Sequence, residues 1–123
     1  MASDTVKDRV PHGFVFVGGG TGGHLYPAIA IIEELERIEL SVRTHVVCSE
    51  RRIDSAILES EYATFSTIPA TSPSGGVRGL SRFVRSWGPS VRGVRSVIRA
   101  MQSKCERVVV VSMGGFVSAP GAM

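Results

Sequence analysis

Gly13-Phe14-Val15-Phe16-Val17-Gly18-Gly19-Gly20-Thr21-Gly22-Gly23-His24 is the stretch from which the fold of this chain is read. Residues 13–17 form a short apolar run that ends in glycines, the pattern of a buried strand. Gly18–Gly23 reads as a loop, and a helix follows it. The loop contains Gly-x-Gly-x-x-Gly at Gly18, Gly20 and Gly23, and its five glycines in six residues exceed what a turn needs. Backbone without Cβ atoms approaches a ligand closely and turns its N–H groups toward an oxyanion. The start of a helix adds its positive dipole end. Between a strand and a helix, this loop points to a phosphate or diphosphate ligand rather than a bare turn.

Working outward, Pro27–Leu40 carries Ala28, Ile29, Ile31, Ile32, Leu35 and Ile38 at helical spacing, with Glu33, Glu34, Glu36 and Glu39 on the other side. Pro27 suits a first helical turn, where its missing N–H costs nothing. Val42–Cys48 reads as a second strand, Arg51–Ser60 as a short helix, and Ala63–Ile68 as a third strand stopped by Pro69. Thr71–Gly79 is a Ser/Pro/Gly loop. Leu80–Ser103 is helical by pattern, with a break expected near Gly88-Pro89. Arg107–Ser112 is a fourth strand, and a second glycine-rich segment follows from Met113, where Pro120 is placed to open another helix.

Strands alternating with helices imply right-handed βαβ units and a parallel, Rossmann-like α/β sheet of order 3-2-1-4. That order reverses between strands 1 and 4, and ligands of such sheets bind beyond the carboxyl ends of the strands at the reversal. The loops after strands 1 and 4 are therefore expected side by side. Residues 13–123 form one domain, and residues 1–12 a polar tail without the apolar core of a signal peptide.

The net charge of +3 conceals an asymmetry. Residues 1–70 carry six Lys/Arg and ten Asp/Glu; residues 71–123 carry eight Lys/Arg and one acid, Glu106. The second stretch favours an anionic partner. No apolar run reaches the ~20 residues of a transmembrane helix, so a cytoplasmic protein with peripheral membrane contact is expected. Cys48 and Cys105 match no metal or redox spacing and read as reduced thiols; neither a metal nor a cofactor is expected.

His24 lies at the mouth of the first loop. A neutral imidazole there can accept a proton from a sugar hydroxyl, and a charged one can hold a phosphate; the helix start favours the neutral form. The bland alternative is a structural hydrogen bond. His12 and His45 lack this context. The second loop, Met113-Gly-Gly-Phe-Val-Ser-Ala-Pro-Gly121, exposes backbone at Gly114 and Gly115 and offers the Ser118 hydroxyl, which equally suits a helix cap. A dinucleotide site would want an acid ending strand 2; the nearest is Glu50, which keeps a nicotinamide- or flavin-dependent oxidoreductase only as a distant alternative.

Taken together, Gly-Gly-Thr-Gly-Gly-His-x-x-Pro after strand 1 and Met-Gly-Gly-Phe-Val-Ser-x-Pro-Gly after strand 4 resemble the MurG family of N-acetylglucosaminyltransferases, glycosyltransferase family 28. The resemblance runs from about Gly13 to the chain's end. It implies the N-terminal, acceptor- and membrane-side half of a two-domain GT-B enzyme. That enzyme moves N-acetylglucosamine from UDP-GlcNAc to lipid I with inversion and without a required metal. By the same resemblance, Thr21, Gly22 and Gly23, with Gly19 and Gly20 beside them, contact UDP-GlcNAc. His24 matches a histidine important for activity. The loop bearing Gly114, Gly115 and Ser118 bears on the acceptor diphosphate. Phe116 stands where a Tyr is common, and Ala119 where Gly is frequent. Family members are roughly three times as long, so a donor-binding domain and a downstream His-Glu motif are expected to be absent. The chain is then either an inactive fragment or one subunit of a split enzyme, recruiting a partner to the membrane.

Between Thr71 and Cys105 there are seven Lys/Arg and no acid. Arg78, Arg82, Arg85, Arg92, Arg95 and Arg99 fall within about 140° of arc at ~100° per residue. Leu80, Phe83, Val84, Trp87, Val91, Val94, Ile98 and Met101 fall opposite. A solvated helix face usually mixes charge signs, and this one does not. An anionic membrane surface or a lipid diphosphate is the favoured partner, against a merely solvated face. Nucleic acid is not expected, for no binding motif or aromatic interleaving accompanies the arginines.

Overall fold

The computed structural model describes residues 10–19, 22–38, 41–61, 63–115 and 117–121. The elements alternate as β1 (His12–Gly18), α1 (Gly22–Ile38), β2 (Val42–Ser49), α2 (Arg52–Ser60), β3 (Phe65–Ile68), α3 (Gly76–Gln102), β4 (Arg107–Gly114) and α4 (Ser118–Gly121). The four strands form one sheet in the order β3-β2-β1-β4, and every pairing is parallel. Parallel strands need crossovers, and the helices supply them on both faces.

The period-2 alternation of β1 divides the core. Val15 and Val17 face one layer with Val47, Ile68, and Val94 and Met101 of α3. Phe16 faces the other with Val46, Cys48, Leu25, Ala28, Ile29 and Ile32 of α1, and Leu58 of α2. Each of these large side chains stabilises the fold by about 1.5–3 kcal/mol when fully buried. Cys48 and Cys105 are both buried and unpaired as cysteines.

Several boundaries differ from the sequence expectation. Helix α1 begins at Gly22, so Pro27 lies inside it rather than in its opening turn. Leu25 is fully buried one turn into this helix, and its packing holds the segment before the proline helical. Pro27 then forfeits one hydrogen bond, to the carbonyl of Gly23. Helix α3 runs unbroken for 27 residues through Gly88-Pro89. The residue before proline is disfavoured in a helix partly because its Cβ meets the proline ring; Gly88 has none. Pro89 is exposed, and it offers the carbonyl of Arg85 no N–H donor.

Strand β1 takes in His12, whose N–H donates to Ser41 O at 2.9 Å, so the expected tail loses its last residue to the sheet. Strand β3 starts at Phe65 instead of Ala63, because the Ala63 amide is engaged by Leu58 O at the end of α2. Strand β4 extends to Gly114, and α4 opens at Ser118 instead of Pro120. Helix α2 starts one residue late, with Arg51 as its N-cap.

The apolar side of α3 is not uniformly buried. Val94 and Met101 enter the core, whereas Val77, Leu80 and Val84 in the first half are 86%, 54% and 64% exposed. Phe83 and Trp87 pack against each other as a tilted pair, with ring centroids 5.6 Å apart and planes inclined by 59°.

Candidate functional site

The carboxyl ends of β1 and β4 bring the two glycine turns into direct backbone contact. At Gly115 (φ +78°) a Cβ would stand 2.8 Å from the carbonyl oxygen of Gly19. Only glycine accepts both that conformation and that approach. The first turn is set in the same way, since Gly19 has φ +139° and a Cβ there would meet the Asp54 carboxylate at 2.6 Å.

His24 lies across this junction. It sits in the first turn of α1, and its ring borders Gly114 and Gly115, where added Cβ atoms would come within 3.2–3.4 Å of ring atoms. Nδ1 is 3.2 Å from the main-chain oxygen of Met113. A carbonyl only accepts, so Nδ1 carries the proton. In the neutral ring the basic lone pair is then on Nε2. The side chain is partly buried.

A second set of groups braces the first turn from behind. The Asp54 carboxylate, fully buried, accepts from Ser49 Oγ at 2.5 Å and from Ser49 N–H at 3.3 Å. Ser49 Oγ in turn accepts the Arg51 N–H at 3.3 Å. Burial, with the Asp54 charge adding to it, pushes the Cys48 thiol up to about 12. Cys48 is therefore a protonated core residue and not a nucleophile. Neither Ser49 nor Asp54 stands out in the sequence, where the acid nearest the tip of β2 is Glu50, which is exposed. The available signal was a lone acid in the opening turn of an otherwise basic helix start.

Of the residues singled out from sequence, Gly19, His24, Gly114 and Gly115 meet at one point, and Gly22 and Gly23 open α1 beside them. Gly20, Thr21 and Phe116 lie outside the described residues, and Ser118 is described only as the first residue of α4. Arg78, Arg82, Arg85, Arg92, Arg95 and Arg99 are all exposed along α3, on a different element from the glycine turns. Arg82 additionally lines a cavity at the ends of β2 and β3. Among the described residues there is no cluster of His, Cys, Asp and Glu fit to hold a metal ion.

Residues 14–123 match the glycosyltransferase family 28 N-terminal domain. The UDP-N-acetylglucosamine--N-acetylmuramyl-(pentapeptide) pyrophosphoryl-undecaprenol N-acetylglucosamine transferase of Levilactobacillus brevis is 37% identical over 105 residues, which cover 82% of this chain and 27% of that protein. The transferase of the same name from Nocardia farcinica is 31% identical over 107 residues, covering 86% of this chain and 27% of its own length. The crystal structure of Acinetobacter baumannii MurG superposes with a TM-score of 0.58 at 19% identity, over 90% of this chain and 30% of that one. The likeness shows the shared fold. The chain spans less than a third of the curated relatives that it matches.

Proposed function

This chain belongs to glycosyltransferase family 28, whose N-terminal domain it carries, and we propose that it forms the acceptor side of an enzyme transferring N-acetylglucosamine from UDP-GlcNAc to lipid I. The observation that carries this reading is the placement of His24 against both glycine turns, with its Nδ1 proton committed to Met113. Nε2 then takes the proton from the acceptor's sugar hydroxyl. The freed oxygen forms its bond to the anomeric carbon of N-acetylglucosamine as the bond from that carbon to the UDP oxygen breaks, inverting the centre. Backbone N–H groups of the glycine turns and the positive end of α1 stabilise the diphosphate charge. Thr21, Gly22 and Gly23 are assigned to the donor, and Gly114, Gly115 and Ser118 to the acceptor diphosphate. The uridine is assigned to a second, donor-binding domain of the kind that completes a GT-B enzyme. No metal or cofactor is needed for these steps.

Mixing the chain with the donor-binding half of the Levilactobacillus brevis relative, and following radiolabelled N-acetylglucosamine into lipid I, tests the reading. Transfer is expected only in the mixture, and His24→Ala should lower it by the 10²–10⁴-fold typical of a lost general base. Full activity of His24→Ala in the mixture refutes the assignment, and turnover by residues 1–123 alone refutes the assignment of the uridine to a second domain.

A specific feature favours membrane docking through α3. Among the described residues no helix is long and apolar enough to cross a membrane. The first half of α3 nevertheless exposes Val77, Leu80 and Val84 beside a set of arginines without a salt bridge among the described residues. An amphipathic helix of this kind lies in a bilayer interface, apolar side inward, with each arginine worth about 1 kcal/mol near anionic lipid. The proposed location is the cytoplasmic face of the cell membrane. The same surface serves the alternative in which the chain is a non-catalytic recruiting subunit of a split transferase. Arg85→Glu/Arg92→Glu/Arg99→Glu should abolish sedimentation with phosphatidylglycerol vesicles at low salt; unchanged sedimentation removes the membrane assignment.

A further inference from the structure

The sheet edge that carries the glycine turns holds a second concavity, beyond the ends of β2 and β3. It is half open to solvent, has a volume of about 380 Å³, the scale of a small-ligand site, and is lined in part by Glu50, Arg51, Thr71, Ser72, Ser74 and Arg82. Its wall is a fixed part of the fold. The carbonyl of Ser74 lies where a Cβ of Gly79 would stand, so the loop can press onto the first turn of α3 only because residue 79 has no side chain. Thr71 Oγ1 lies 3.3 Å from Ser86 Oγ, whose own proton goes to Phe83 O at 2.9 Å, so Thr71 donates inward to α3. Ser72 Oγ accepts the Ser74 N–H at 3.3 Å, which leaves its own proton to be donated.

The charge balance of this lining is Arg51 and Arg82 against Glu50, one net positive charge. Helix α3 also begins at its border, after Gly75, with neither a side-chain cap nor an acid in its first turn, whereas α2, which begins after Arg51, carries Asp54 in its own. The positive dipole end of α3 adds to the arginines. A group with one negative charge and two acceptor oxygens matches guanidinium and hydroxyl donors together. A doubly charged phosphate would leave this lining with a net negative charge, and a carboxylate would not.

We propose that this cavity is a carboxylate-binding subsite, with Arg82 as its principal cation and the Ser72 hydroxyl as a second donor. Strands in a sheet are about 4.8 Å apart, so β3 lies ~10 Å from β1 along the sheet edge. One extended ligand can therefore place a diphosphate at the glycine turns and a carboxylate here. The relatives' names specify an acceptor with a peptide arm, and a peptide carries such a carboxylate. Assigning the carboxylate to the acceptor rests on the transferase reading above; the carboxylate chemistry of the cavity does not.

Titration of the ¹⁵N-labelled chain, followed by amide and arginine side-chain resonances, tests this. The probes are N-acetyl-alanyl-alanine, its C-terminal amide, inorganic phosphate and inorganic pyrophosphate. The peptide acid should shift Ser72, Ser74 and Arg82 with millimolar affinity, and the amide should bind at least tenfold more weakly. Arg82→Gln, at an exposed position that leaves folding intact, should weaken the acid at least tenfold, with partial recovery in Arg82→Lys. Equal binding of acid and amide, or an unchanged affinity in Arg82→Gln, overturns the proposal. Phosphate binding in the cavity as tightly as the acid overturns the carboxylate assignment. Pyrophosphate reports separately on the transferase reading: it should move Gly19, His24 and Gly114. If it does not while the acid still moves Arg82, that reading fails and the carboxylate site stands.

Discussion

Replacing Gly115 by alanine isolates the contact on which the site depends. At φ +78° an L-residue costs about 1–2 kcal/mol relative to glycine. The new methyl would also stand 2.8 Å from Gly19 O and 3.2 Å from the His24 ring. The first neighbour is backbone and cannot swing aside, so the two turns must separate by a few tenths of an ångström. Overpacking of this kind adds about 1–3 kcal/mol. Together the loss is about 2–5 kcal/mol. At ~4 °C per kcal/mol for a domain of this size, the melting temperature should fall on the order of 10 °C. The displacement also moves the His24 ring off Met113 O. The assay is urea unfolding, paired with ¹⁵N spectra of the imidazole, where the wild type should show Nδ1 protonated and Nε2 unprotonated in its neutral form. A variant within 0.5 kcal/mol of wild type, with the same tautomer, refutes the argument that the turns are locked together and that their contact positions His24.

Further outcomes follow from the core and the helices. Asp54→Ala removes the acceptor of two Ser49 donors and should cost about 2–3 kcal/mol by urea unfolding; it should also lower the Cys48 pKa only partly, since burial is the larger cause. Burial of His45, 2.7 Å from Ser66 Oγ, holds its pKa below the usual histidine value. The unfolded chain therefore binds a proton that the folded one refuses. The resulting stability is full above pH ~6.5 and declines as the pH falls toward the folded value; His45→Gln should flatten that part of the profile. Pro89→Ala restores one helical hydrogen bond at an exposed site and should stabilise the protein by about 1–3 kcal/mol in thermal melts.

Strand number, parallel pairing and the β3-β2-β1-β4 order were all legible from the sequence. Apolar runs that end in glycine, alternating with helical periods, leave few other right-handed arrangements. The same logic places the glycine turns together, because two loops that follow strands on either side of a reversal must share one edge. Local rules failed at the prolines. Pro27 and Pro89 read as a start and a break, and tertiary packing at Leu25 and Val94, with glycine before Pro89, carries both helices through.

What only the tertiary structure decided is the set of contacts between residues far apart in the chain. The Nδ1 proton of His24 goes to a carbonyl 89 residues away, and no periodicity encodes that. Asp54 braces Gly19 from the first turn of α2, and Arg82, exposed along α3 with its fellow arginines, also lines a cavity whose wall loop presses onto Gly79. Sequence pattern fixes which way a backbone turns and which side of an element is apolar. The neighbours that a side chain meets there depend on how the finished layers pack, which is set by the whole chain at once.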